Sequence, residues 1–337
     1  MKRRMRQRQI IEAYSYQEIV NAGNYLAVGE GHFEEIDIVY WWRNLHAKPL
    51  QHLFCSLCGV PNVFVAQRLK RLSSMKQKLL RNKKLTLWDM QDVGGCRVVA
   101  DSMIALKEAV SHNVDMSYAR VRRSNYIKKP KKDGYRGIHR VYRYDPYFDN
   151  LPEMYFEVQY RTSLQHLWAT AVETMSAGEE YDLKAGEGPE YIKRFFVLAS
   201  SLFALKEGQP VVPGTQNDKL VLLKELADIN ASHSVLDRLA AKYTESRTYC
   251  FDVGFDSSVF PLFCLDEKRR RLDVYEIRDM EKALNAYDVA ETNRGKNVVL
   301  TRVWRAAMQQ AYPNYFMDAS GFISSIRSIA REAGVSI

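Results

Sequence analysis

The segment 154–160 alternates between apolar and polar side chains, and this alternation constrains the fold more than any other feature of the chain. Its even-numbered positions are apolar or aromatic, whereas its odd-numbered positions carry Tyr155, Glu157 and Gln159. Successive side chains of a strand point to opposite faces of a sheet, and a slip of one residue would reverse the two faces. The pattern therefore predicts a half-buried strand that presents polar chemistry on one face.

Helical and extended patterns along the chain predict an α+β fold. In the first two thirds we expect helices over 36–57, 64–81, 103–110, 164–175 and 191–205, and further strands over 96–100, 117–122 and 138–144. Further on we expect a long helix over 219–245, strands over 248–253, 259–264, 272–277 and 298–301, a helix over 279–290 and two closing helices. The expected architecture is a mixed β-sheet domain flanked by helices, followed by a smaller α+β domain.

A segment rich in proline and glycine, from Gly208 to Gln216, marks the best domain boundary. We expect an N-terminal helical region over 1–65, a central domain over 66–210, a connecting helix over 217–245 and a C-terminal domain over 246–337. The longest apolar run, 195–205, is shorter than the about 20 residues of a membrane-spanning helix. Since the start also lacks the apolar core of a secretory signal, we expect a cytoplasmic protein that does not bind membranes.

The cysteines give no sign of a disulfide framework or a zinc site. There are five, an odd number, and they are scattered along the chain. Cys55 and Cys58 form a Cys-x-x-Cys pair, but no second pair of ligands has the spacing of a zinc site. Because this pair lies in an apolar stretch, we expect both side chains to be buried in the core.

The net charge of +9 is unevenly distributed. Residues 68–143 contain 20 lysines and arginines against 6 acids, a balance of +14, whereas the rest of the chain has a balance of −5. A segment this cationic is typical of proteins that handle phosphates or nucleic acid, although a solvated basic surface would show the same charge.

Four polar motifs lie in or near this segment. They are RLK (68–70) with Lys78 and Arg81 beyond it, DVGGCR (92–97), PKKDGYRGIH (130–139), and EVQYRT (157–162) followed by Trp168-Ala169. Neither a Walker P-loop nor a Rossmann glycine pattern occurs elsewhere in the chain.

These motifs carry the residue types of a nucleotide site. Asp92 and Glu157 can share a Mg²⁺ ion, which prefers carboxylate oxygens and nucleotide phosphates, and the many cations can neutralise a triphosphate. Tyr135 can stack on a base and His139 can donate to a phosphate. Taken singly, Asp92 could instead cap a helix, Glu157 could pair with Arg161, and Tyr135 could be an ordinary turn residue.

In this order and spacing, the four motifs resemble the synthetase domain of the RelA/SpoT family, and the wider resemblance covers residues 41–205. It implies a nucleotidyltransferase-like mixed sheet and transfer of the β,γ-pyrophosphate of ATP to a ribose 3′-hydroxyl. ATP is implied as co-substrate and Mg²⁺ as cofactor. The His-Asp pair of a metal-dependent hydrolase domain does not precede the motifs, so we expect no alarmone hydrolase activity.

The resemblance also implies a role for each matching residue. The catalytic set is Asp92, Glu157 and Gln159, with Asp92 and Glu157 binding Mg²⁺ and Glu157 also activating the 3′-hydroxyl. The ATP-binding set is Arg68, Lys70, Lys78, Arg81 and Arg97, with Arg68 and Arg97 on either side of the adenine. The acceptor-binding set is Lys131, Tyr135, His139 and Arg161, with Tyr135 stacked on the acceptor base and Lys131 and His139 on its phosphates.

Two positions depart from the family pattern. Asn125 stands where the family often has an acid before the Tyr-Ile-x-x-Pro-Lys run, and Glu173 falls one residue later than in common alarmone synthetases. The role that the family gives to this glutamate is therefore left open for Glu173.

A second resemblance concerns the regions that flank the motifs and the C-terminal half. Residues 42–50 and 171–208 resemble small synthetases found beside or fused to an antitoxin, and Tyr312 and Tyr315 resemble the YxxY element of CapRel-type fused toxin–antitoxins. In those proteins the toxic domain pyrophosphorylates the 3′ end of tRNA and the C-terminal part restrains it. The resemblance implies an autoinhibited toxin that blocks translation, a phage or cellular protein as trigger at the C-terminal domain, and a role in phage defence. Tyr312 and Tyr315 could equally be core aromatics.

Three functions are open at this point. The first is pyrophosphate transfer to the tRNA 3′-CCA end, favoured by the appended domain and by more basic residues than one triphosphate needs. The second is synthesis of (p)ppGpp alarmones from GDP or GTP. The third is an inactive RNA-binding or partner-sensing module. Asp92 and Glu157 argue against the third function, because a negatively charged carboxylate repels phosphates and weakens a surface that only binds them.

Overall fold

The computed structural model describes residues 14–29, 34–114, 117–144, 151–242, 245–250, 260–266, 271–294, 298–302 and 317–337. The strands in these ranges are β1 (Val63–Leu69), β2 (Gly94–Ala100), β3 (Tyr118–Asn125), β4 (Ile138–Tyr144), β5 (Met154–Thr162), β6 (Glu245–Cys250), β7 (Phe260–Asp266), β8 (Arg271–Ile277) and β9 (Val298–Arg302).

The helices of the described residues surround these strands. They are α1 (Tyr16–Val28), α2 (Glu34–Leu45), α3 (Ala47–Cys58), α4 (Leu72–Arg81), α5 (Met103–Ser111), α6 (Ser163–Ser176), α7 (Glu190–Lys206), α8 (Lys219–His233), α9 (Val235–Ala240), α10 (Met280–Arg294) and α11 (Ser320–Glu332). A single 3₁₀ turn spans Leu183–Ala185. None of these helices combines the length and apolar character needed to cross a membrane.

The described strands form one mixed sheet in the order β3-β4-β5-β2-β1-β9-β7-β8-β6. β2 and β5 are parallel, as are β6 and β8, and the other neighbours are antiparallel. The α+β class with a mixed sheet is confirmed.

The C-terminal strands continue the sheet of the central region. β9 pairs with β1, where Thr301 lies opposite Arg68 and the Thr301 hydroxyl donates to the Gln67 carbonyl. β7 then pairs with the other side of β9. The strand that carries Arg68 is therefore an interior strand, bonded on one side to the C-terminal region.

Two apolar cores hold the helices in place. The first core contains residues of α1 to α5 and the buried face of the sheet, together with C-terminal residues such as Leu262, Tyr287 and Leu300. The second core joins α6, α7, α8, α9 and α11, for example through Phe195 and Phe322. Both cores thus contain described residues from the C-terminal third of the chain.

Most of the predicted strands are confirmed with small shifts at their ends. This holds for 96–100, 117–122, 138–144, 154–160, 259–264, 272–277 and 298–301. The predicted strand 248–253 overlaps β6, but its last residues lie outside the described part of the chain. Of the two closing helices, α11 is confirmed and the position of the other lies outside the described residues.

The predicted helix over 64–81 is wrong in its first half, which is β1. Leu69, Leu72 and Leu79 are buried at spacings that also suit a helix. However, Val63 and Phe64 favour an extended chain, and the segment gains full pairing with β2. The helix begins only after Arg71, which is extended at φ −63° and ψ 145°.

Two predicted long helices are each divided in two. The helix over 36–57 breaks at His46, where α2 ends and α3 begins with Pro49 in its first turn, a position that tolerates proline. The helix over 219–245 breaks at Ser234, whose φ of 48° is left-handed and incompatible with a continuous helix.

The prediction that Cys55 and Cys58 are core residues is wrong, since both are exposed. α3 buries Leu50, Leu53 and Leu57 along one stripe. The two cysteines fall on the opposite side of the same helix, which an apolar stretch alone does not reveal.

Candidate active site

Three adjacent strands place two charged residues on either side of a glycine. In the strand register, Arg68 of β1 lies opposite Gly95 of β2, and Gly95 lies opposite Glu157 of β5. A Cβ atom on Gly95 would stand 2.9 Å from the carbonyl oxygen of Glu157. Glycine therefore keeps open the space between the arginine and the glutamate.

The next row of the same face continues onto β4. Arg97 of β2 lies opposite Gln159 of β5, and Gln159 lies opposite His139 of β4. Cross-strand partners share a face, so Arg97, Gln159 and His139 all point to the side that also carries Glu157. The alternation predicted for β5 is confirmed, because positions 154, 156 and 158 are buried and 155, 157 and 159 are not.

Asp92 lies in the turn before β2 and is held by two lysines. Its Oδ2 accepts from Lys70 Nζ at 2.8 Å and its Oδ1 accepts from Lys78 Nζ at 2.7 Å. Burial raises the pKa of the Asp92 carboxyl, but the two lysines outweigh burial and bring this pKa to about 2. Asp92 is therefore ionised throughout the physiological pH range.

Glu157 is held by its own neighbours on the sheet. Its Oε1 is 3.0 Å from His139 Nδ1, and its Oε2 accepts from Gln159 Nε2 at 2.7 Å. Burial raises the pKa of the Glu157 carboxyl, and the hydrogen bonds from His139 and Gln159 lower it by more. The net result is a pKa below the usual value, so Glu157 is a carboxylate at neutral pH and carries a full negative charge.

The contacts of Glu157 are part of a closed ring of hydrogen bonds. Arg161 Nη2 donates to the side-chain oxygen Oε1 of Gln159 and to the Tyr135 hydroxyl, each at 2.9 Å. The Tyr135 hydroxyl is 2.6 Å from His139 Nε2. We call Glu157, His139, Tyr135, Arg161 and Gln159 the carboxylate ring.

Two arrangements of donors and acceptors close the carboxylate ring. Arg161 has only donors, so the Tyr135 oxygen accepts from Arg161 in both of them. The Tyr135 O–H then donates to His139 Nε2, or the Tyr135 oxygen accepts from Nε2–H with its second lone pair. In both arrangements the Nδ1–H of His139 donates to Glu157 and orients its carboxylate.

Two cavities border these residues. One of about 30 Å³ is lined by Asp92, Glu157, Arg68 and Arg97 among others. A larger cleft of about 570 Å³ lies beside it and is also lined by Arg68 and Arg97. Five further predicted site residues line this cleft, namely Lys131, Tyr135, His139, Gln159 and Arg161.

The loop that carries Tyr135 is fixed to α7. The Ser200 hydroxyl donates to the Gly134 carbonyl at 2.6 Å and accepts from Arg136 Nε at 3.0 Å. Gly134 has a φ of 95°, and a Cβ there would lie 2.9 Å from the Trp168 ring. The Gly-Tyr sequence of the motif is therefore needed to seat the loop against Trp168 and leave Tyr135 in the cleft.

Comparison with known proteins identifies the segment that builds this site. Residues 67–179 match the family model described as "Region found in RelA / SpoT proteins". We call residues 67–179 the RelA/SpoT region, after the family model that they match. It includes all four motifs, the carboxylate ring and both carboxylates of the small cavity.

Relatives of known sequence are distant and match the chain in part. The "Uncharacterized protein Rv1366" of Mycobacterium tuberculosis is 24% identical over 157 residues, which are 46% of this chain and 55% of that protein. The "Uncharacterized protein Mb1401" of Mycobacterium bovis matches with the same figures. The chain thus spans about half the length of the curated relatives it matches.

Two solved structures share a distant likeness with the chain. A GTP pyrophosphokinase family protein from Streptococcus pneumoniae is 22% identical, with a TM-score of 0.43 over 62% of this chain and 98% of that chain. The small alarmone synthetase 1 of Bacillus subtilis bound to its product pppGpp is 20% identical, with a TM-score of 0.38 over 59% of this chain and 95% of that chain. Both TM-scores lie below 0.5, so neither structure supports a conclusion about the chemistry of this chain.

The two carboxylates of the RelA/SpoT region fit a Mg²⁺ ion. Asp92 and Glu157 border the same small cavity, and each carboxylate has about four lone-pair sites, of which two are used by the hydrogen bonds above. Mg²⁺ is usually held by one or two carboxylates together with substrate phosphates. Among the described residues, no cluster of three or more histidines, cysteines or acids offers a different metal site.

Not every predicted ATP ligand of the RelA/SpoT region lines the cleft. Lys70 and Lys78 are directed to Asp92, at the small cavity. Arg81 is 62% exposed and its guanidinium is 3.9 Å from Asp182. Lys70 and Lys78 therefore lie together at the small cavity, whereas Arg81 lies at the protein surface and lines neither cavity.

Glu173, whose role was left open, lines the cleft of the RelA/SpoT region and pairs with Lys184. Burial raises the pKa of the Glu173 carboxyl, but Lys184 and the more distant Arg97 and Arg161 bring this pKa to about 2. Val172 also lines the cleft, so a shift of one residue along α6 keeps the glutamate in the wall.

Sequence analysis missed some of the residues at the cleft. Lys184, Lys193 and Arg194 all line it, but they lie beyond the last motif. Their basic character gives a weak signal, and their position in space comes from the packing of α7 against α6. Tyr312 and Tyr315, predicted as regulatory residues, lie outside the described residues.

The departure at Asn125 has a structural explanation. Its side-chain oxygen accepts from the backbone N–H groups of Ile127 and Lys128, both at 3.1 Å. An amide oxygen and a carboxylate oxygen can both hold this turn. The loop before the Pro-Lys run is therefore capped without an acid.

Two substitutions at Tyr135 separate the role of its ring from that of its hydroxyl. Tyr135→Phe keeps the ring but opens the carboxylate ring, so we expect a lower kcat with little change in the KM for the acceptor. If Tyr135 stacks on the acceptor base, as the resemblance implies, Tyr135→Ala removes stacking worth roughly 1–3 kcal/mol, and we expect the acceptor KM to rise by about 5- to 150-fold. Steady-state kinetics with each substrate varied in turn measures both effects. A rise in the KM for ATP alone would contradict the assignment of Tyr135 to the acceptor.

Proposed function

We propose that this chain transfers the β,γ-pyrophosphate of ATP to a ribose 3′-hydroxyl. The observation that carries the proposal is an ionised Glu157, oriented by His139 and Gln159, on the same small cavity as the lysine-bound Asp92. The match of residues 67–179 to the RelA/SpoT region supports the same class of reaction.

In the proposed reaction the acceptor's 3′-oxygen bonds to the β-phosphorus of ATP. The bond from that phosphorus to the oxygen bridging the α- and β-phosphates breaks, and AMP leaves with the electron pair. The proton of the 3′-hydroxyl goes to the Glu157 carboxylate, which acts as the general base. A Mg²⁺ ion between Asp92 and Glu157 would supply charge neutralisation for the phosphates.

The remaining residues bind and orient the two substrates. Arg68 and Arg97 border both cavities and are placed to flank the adenine, whose phosphates would then extend toward Lys70 and Lys78. Tyr135 offers its ring to the acceptor base. Positioning and charge neutralisation are the main contributions that a protein makes to phosphoryl-group transfer.

His139 and Arg161 differ in their availability to an acceptor phosphate. Both ring nitrogens of His139 are hydrogen-bonded within the chain, so its contact with a phosphate requires one of these bonds to open. Arg161 bonds to Tyr135 and Gln159 through Nη2, and its guanidinium has further N–H donors for a phosphate. Lys131 carries no such restraint, since its ammonium lies 4.8 Å from the Tyr126 ring and 5.0 Å from the Tyr135 ring. We infer that Lys131 meets the acceptor first and that His139 follows.

We propose the 3′-CCA end of tRNA as the acceptor. The cleft of about 570 Å³ has room for a nucleoside with its phosphates and opens toward a strongly basic region. Labelling assays test the choice directly. ATP radiolabelled at the γ-phosphate is incubated with either deacylated tRNA or GDP and GTP, and label in tRNA alone is the expected result. Label in the guanosine nucleotides alone would make the chain an alarmone synthetase.

The C-terminal region contacts the ATP-binding elements directly, which supports a regulatory role. Besides the pairing of β9 with β1, Glu291 of α10 accepts from the backbone N–H of Leu72 at 2.7 Å, at the first residue of α4. Glu291 and Asp288 also pair with Arg43, which is fully buried. We infer that the C-terminal region restrains the synthetase as in fused toxin–antitoxins, with a phage or cellular protein as its release signal.

Growth of bacteria that express variants tests this restraint. With Tyr312 and Tyr315 proposed as the restraining pair, we expect Tyr315→Ala to make the chain growth-inhibitory and Glu157→Gln in the same chain to restore growth. Pyrophosphorylated tRNA with unchanged alarmone levels is the expected chemistry in the inhibited cells. Deletion after Gln216 is a poor substitute, because it removes residues such as Leu222 and Phe322 from the second core. A harmless, folded Tyr315→Ala protein would remove these tyrosines from the proposal.

A further inference from the structure

A row of exposed cations follows the outermost strand of the sheet and the loop after it. Residues 117–132 contain seven lysines and arginines and no acid. β3 is the edge strand next to β4, and its arginines are exposed, as are the lysines of the following loop. We call these side chains the basic track. They are Arg120, Arg122, Arg123, Lys128, Lys129, Lys131 and Lys132.

The basic track begins inside the active-site cleft. Lys131 and Lys132 line the cleft, and the track continues outward through the loop to β3. Arg122 lies opposite Val141, and Val141 lies opposite Glu157, so all three share one face of the sheet. Arg120 and Arg123 lie opposite Tyr142 and Arg140 and belong to the other face of this edge strand. Two strand spacings of about 4.8 Å each put the backbone of Arg122 roughly 10 Å from that of Glu157.

Among the described residues, no acid forms an ion pair with a cation of the track. Two other cations at the cleft have acidic partners, since Lys184 pairs with Glu173 and Arg194 with Glu225. Within the described ranges, no ion pair joins a residue of the track to an acid, and Arg120 donates only to the neutral groups of His112 and Asn113.

Protection of a sheet edge explains only part of this pattern. Edge strands often carry a charged residue or two, which prevents pairing with another chain. The track, however, leaves the strand at Asn125 and continues through Lys128 and Lys129 to the cleft. A line of cations that ends at a catalytic cleft suits a polymer whose end enters that cleft and whose repeated negative charges lie outside it.

We propose that the basic track binds the phosphodiester backbone of an RNA acceptor, while the cleft receives its 3′ end. The inference rests on the proposed transfer to tRNA and adds to it a second contact surface. Lysine and arginine contacts to phosphates are independent of sequence and supply most of the salt-dependent affinity for nucleic acid. A guanosine nucleotide is too short to reach from the cleft to β3.

A variant of the track and a charge-matched control test the proposal. The track variant combines Arg122→Gln, Lys128→Gln, Lys129→Gln and Lys132→Gln. The control combines Lys107→Gln, Lys224→Gln, Lys282→Gln and Arg327→Gln, which are exposed cations on other surfaces of the described chain. Circular dichroism and thermal melting establish that both variants are folded.

Binding of fluorescent deacylated tRNA is measured without ATP at several salt concentrations. Each lost phosphate contact lowers the slope of log K against log salt by about 0.7–0.9, so we expect the track variant to lose about 3 from this slope. Its affinity near 100 mM salt should fall on the order of 10- to 100-fold. The control should bind as the unmodified chain does.

Two outcomes would overturn the inference. If the track variant binds tRNA with the affinity and slope of the unmodified chain, the track does not bind RNA and an acidic protein partner becomes the better explanation. If both variants lose affinity equally, only net charge matters. Failure of the proposed acceptor is seen separately, as label in GDP or GTP and none in tRNA, because the binding assay involves no transfer.

Discussion

Glu157→Gln is expected to lower the rate of pyrophosphate transfer by about 10²–10⁴-fold, the range for loss of a positioned general base. The substitution keeps the volume of the side chain but removes its negative charge and places an amide group against either His139 or Gln159. Both the acceptance of the 3′-hydroxyl proton and the binding of Mg²⁺ depend on that charge. The measurement is kcat with the labelled acceptor, together with the affinity for ATP, which should change much less.

Glu153→Gln is the matched control for this experiment. Glu153 lies one residue before β5, and the side chains of Glu153 and Glu157 are both 21% exposed. Glu153 pairs with Arg143 and is not on either cavity. Equal activity of the two variants would show that Glu157 has no special role in the reaction.

Arg43→Met is expected to reduce the free energy of unfolding by about 3–5 kcal/mol, the usual cost of breaking a buried ion pair. Arg43 is 0% exposed, packs 4.2 Å from the Tyr287 ring and pairs with Asp288 and Glu291. Methionine preserves much of the packing but leaves two carboxylates without their cation. Urea unfolding followed by tryptophan fluorescence measures the loss, because the stacked Trp42 and Trp88 rings lie in the same core.

The loss of stability in Arg43→Met depends on pH because the groups left without a cation are carboxyl groups. Burial already raises the pKa of the Asp288 carboxyl above its usual value, and loss of Arg43, whose charge lowers this pKa, raises it further. The loss is therefore largest at neutral pH and shrinks as the pH falls through the folded-state pKa of Asp288. Adding Asp288→Asn and Glu291→Gln to Arg43→Met should restore most of the stability. A decrease of less than about 1 kcal/mol in the unfolding free energy of Arg43→Met would contradict the presence of a buried ion-pair network at Arg43.

The sequence predicts the centre of the site well because the relevant signals are local. Alternation in β5 places Glu157 and Gln159 on one face, and the Gly-Tyr pair predicts a loop that presents Tyr135. The order of the motifs assigns Asp92, Lys70 and Lys78 to one site, and the direct ion pairs between them are a finding of the structure. These residues need only short-range patterns and the order of the strands to come together.

Other features depend on contacts between distant parts of the chain. β1 has a helical spacing of apolar residues and becomes a strand because β2 and β9 pair with it on both sides. The Arg43 junction joins residues about 245 positions apart, and nothing in the local sequence marks either partner. The closure of the carboxylate ring through the Tyr135 hydroxyl likewise depends on side-chain geometry that spacing does not encode.

The most direct test of the central claim is the fate of ATP in a reaction with the acceptor. The account predicts that one AMP is released for each labelled pyrophosphate attached to a 3′-hydroxyl, and that Glu157→Gln abolishes both products together. Quantifying AMP, ADP and labelled acceptor in the same sample measures this ratio. Release of ADP in place of AMP, or binding of RNA and ATP without any transfer by the folded chain, would contradict it.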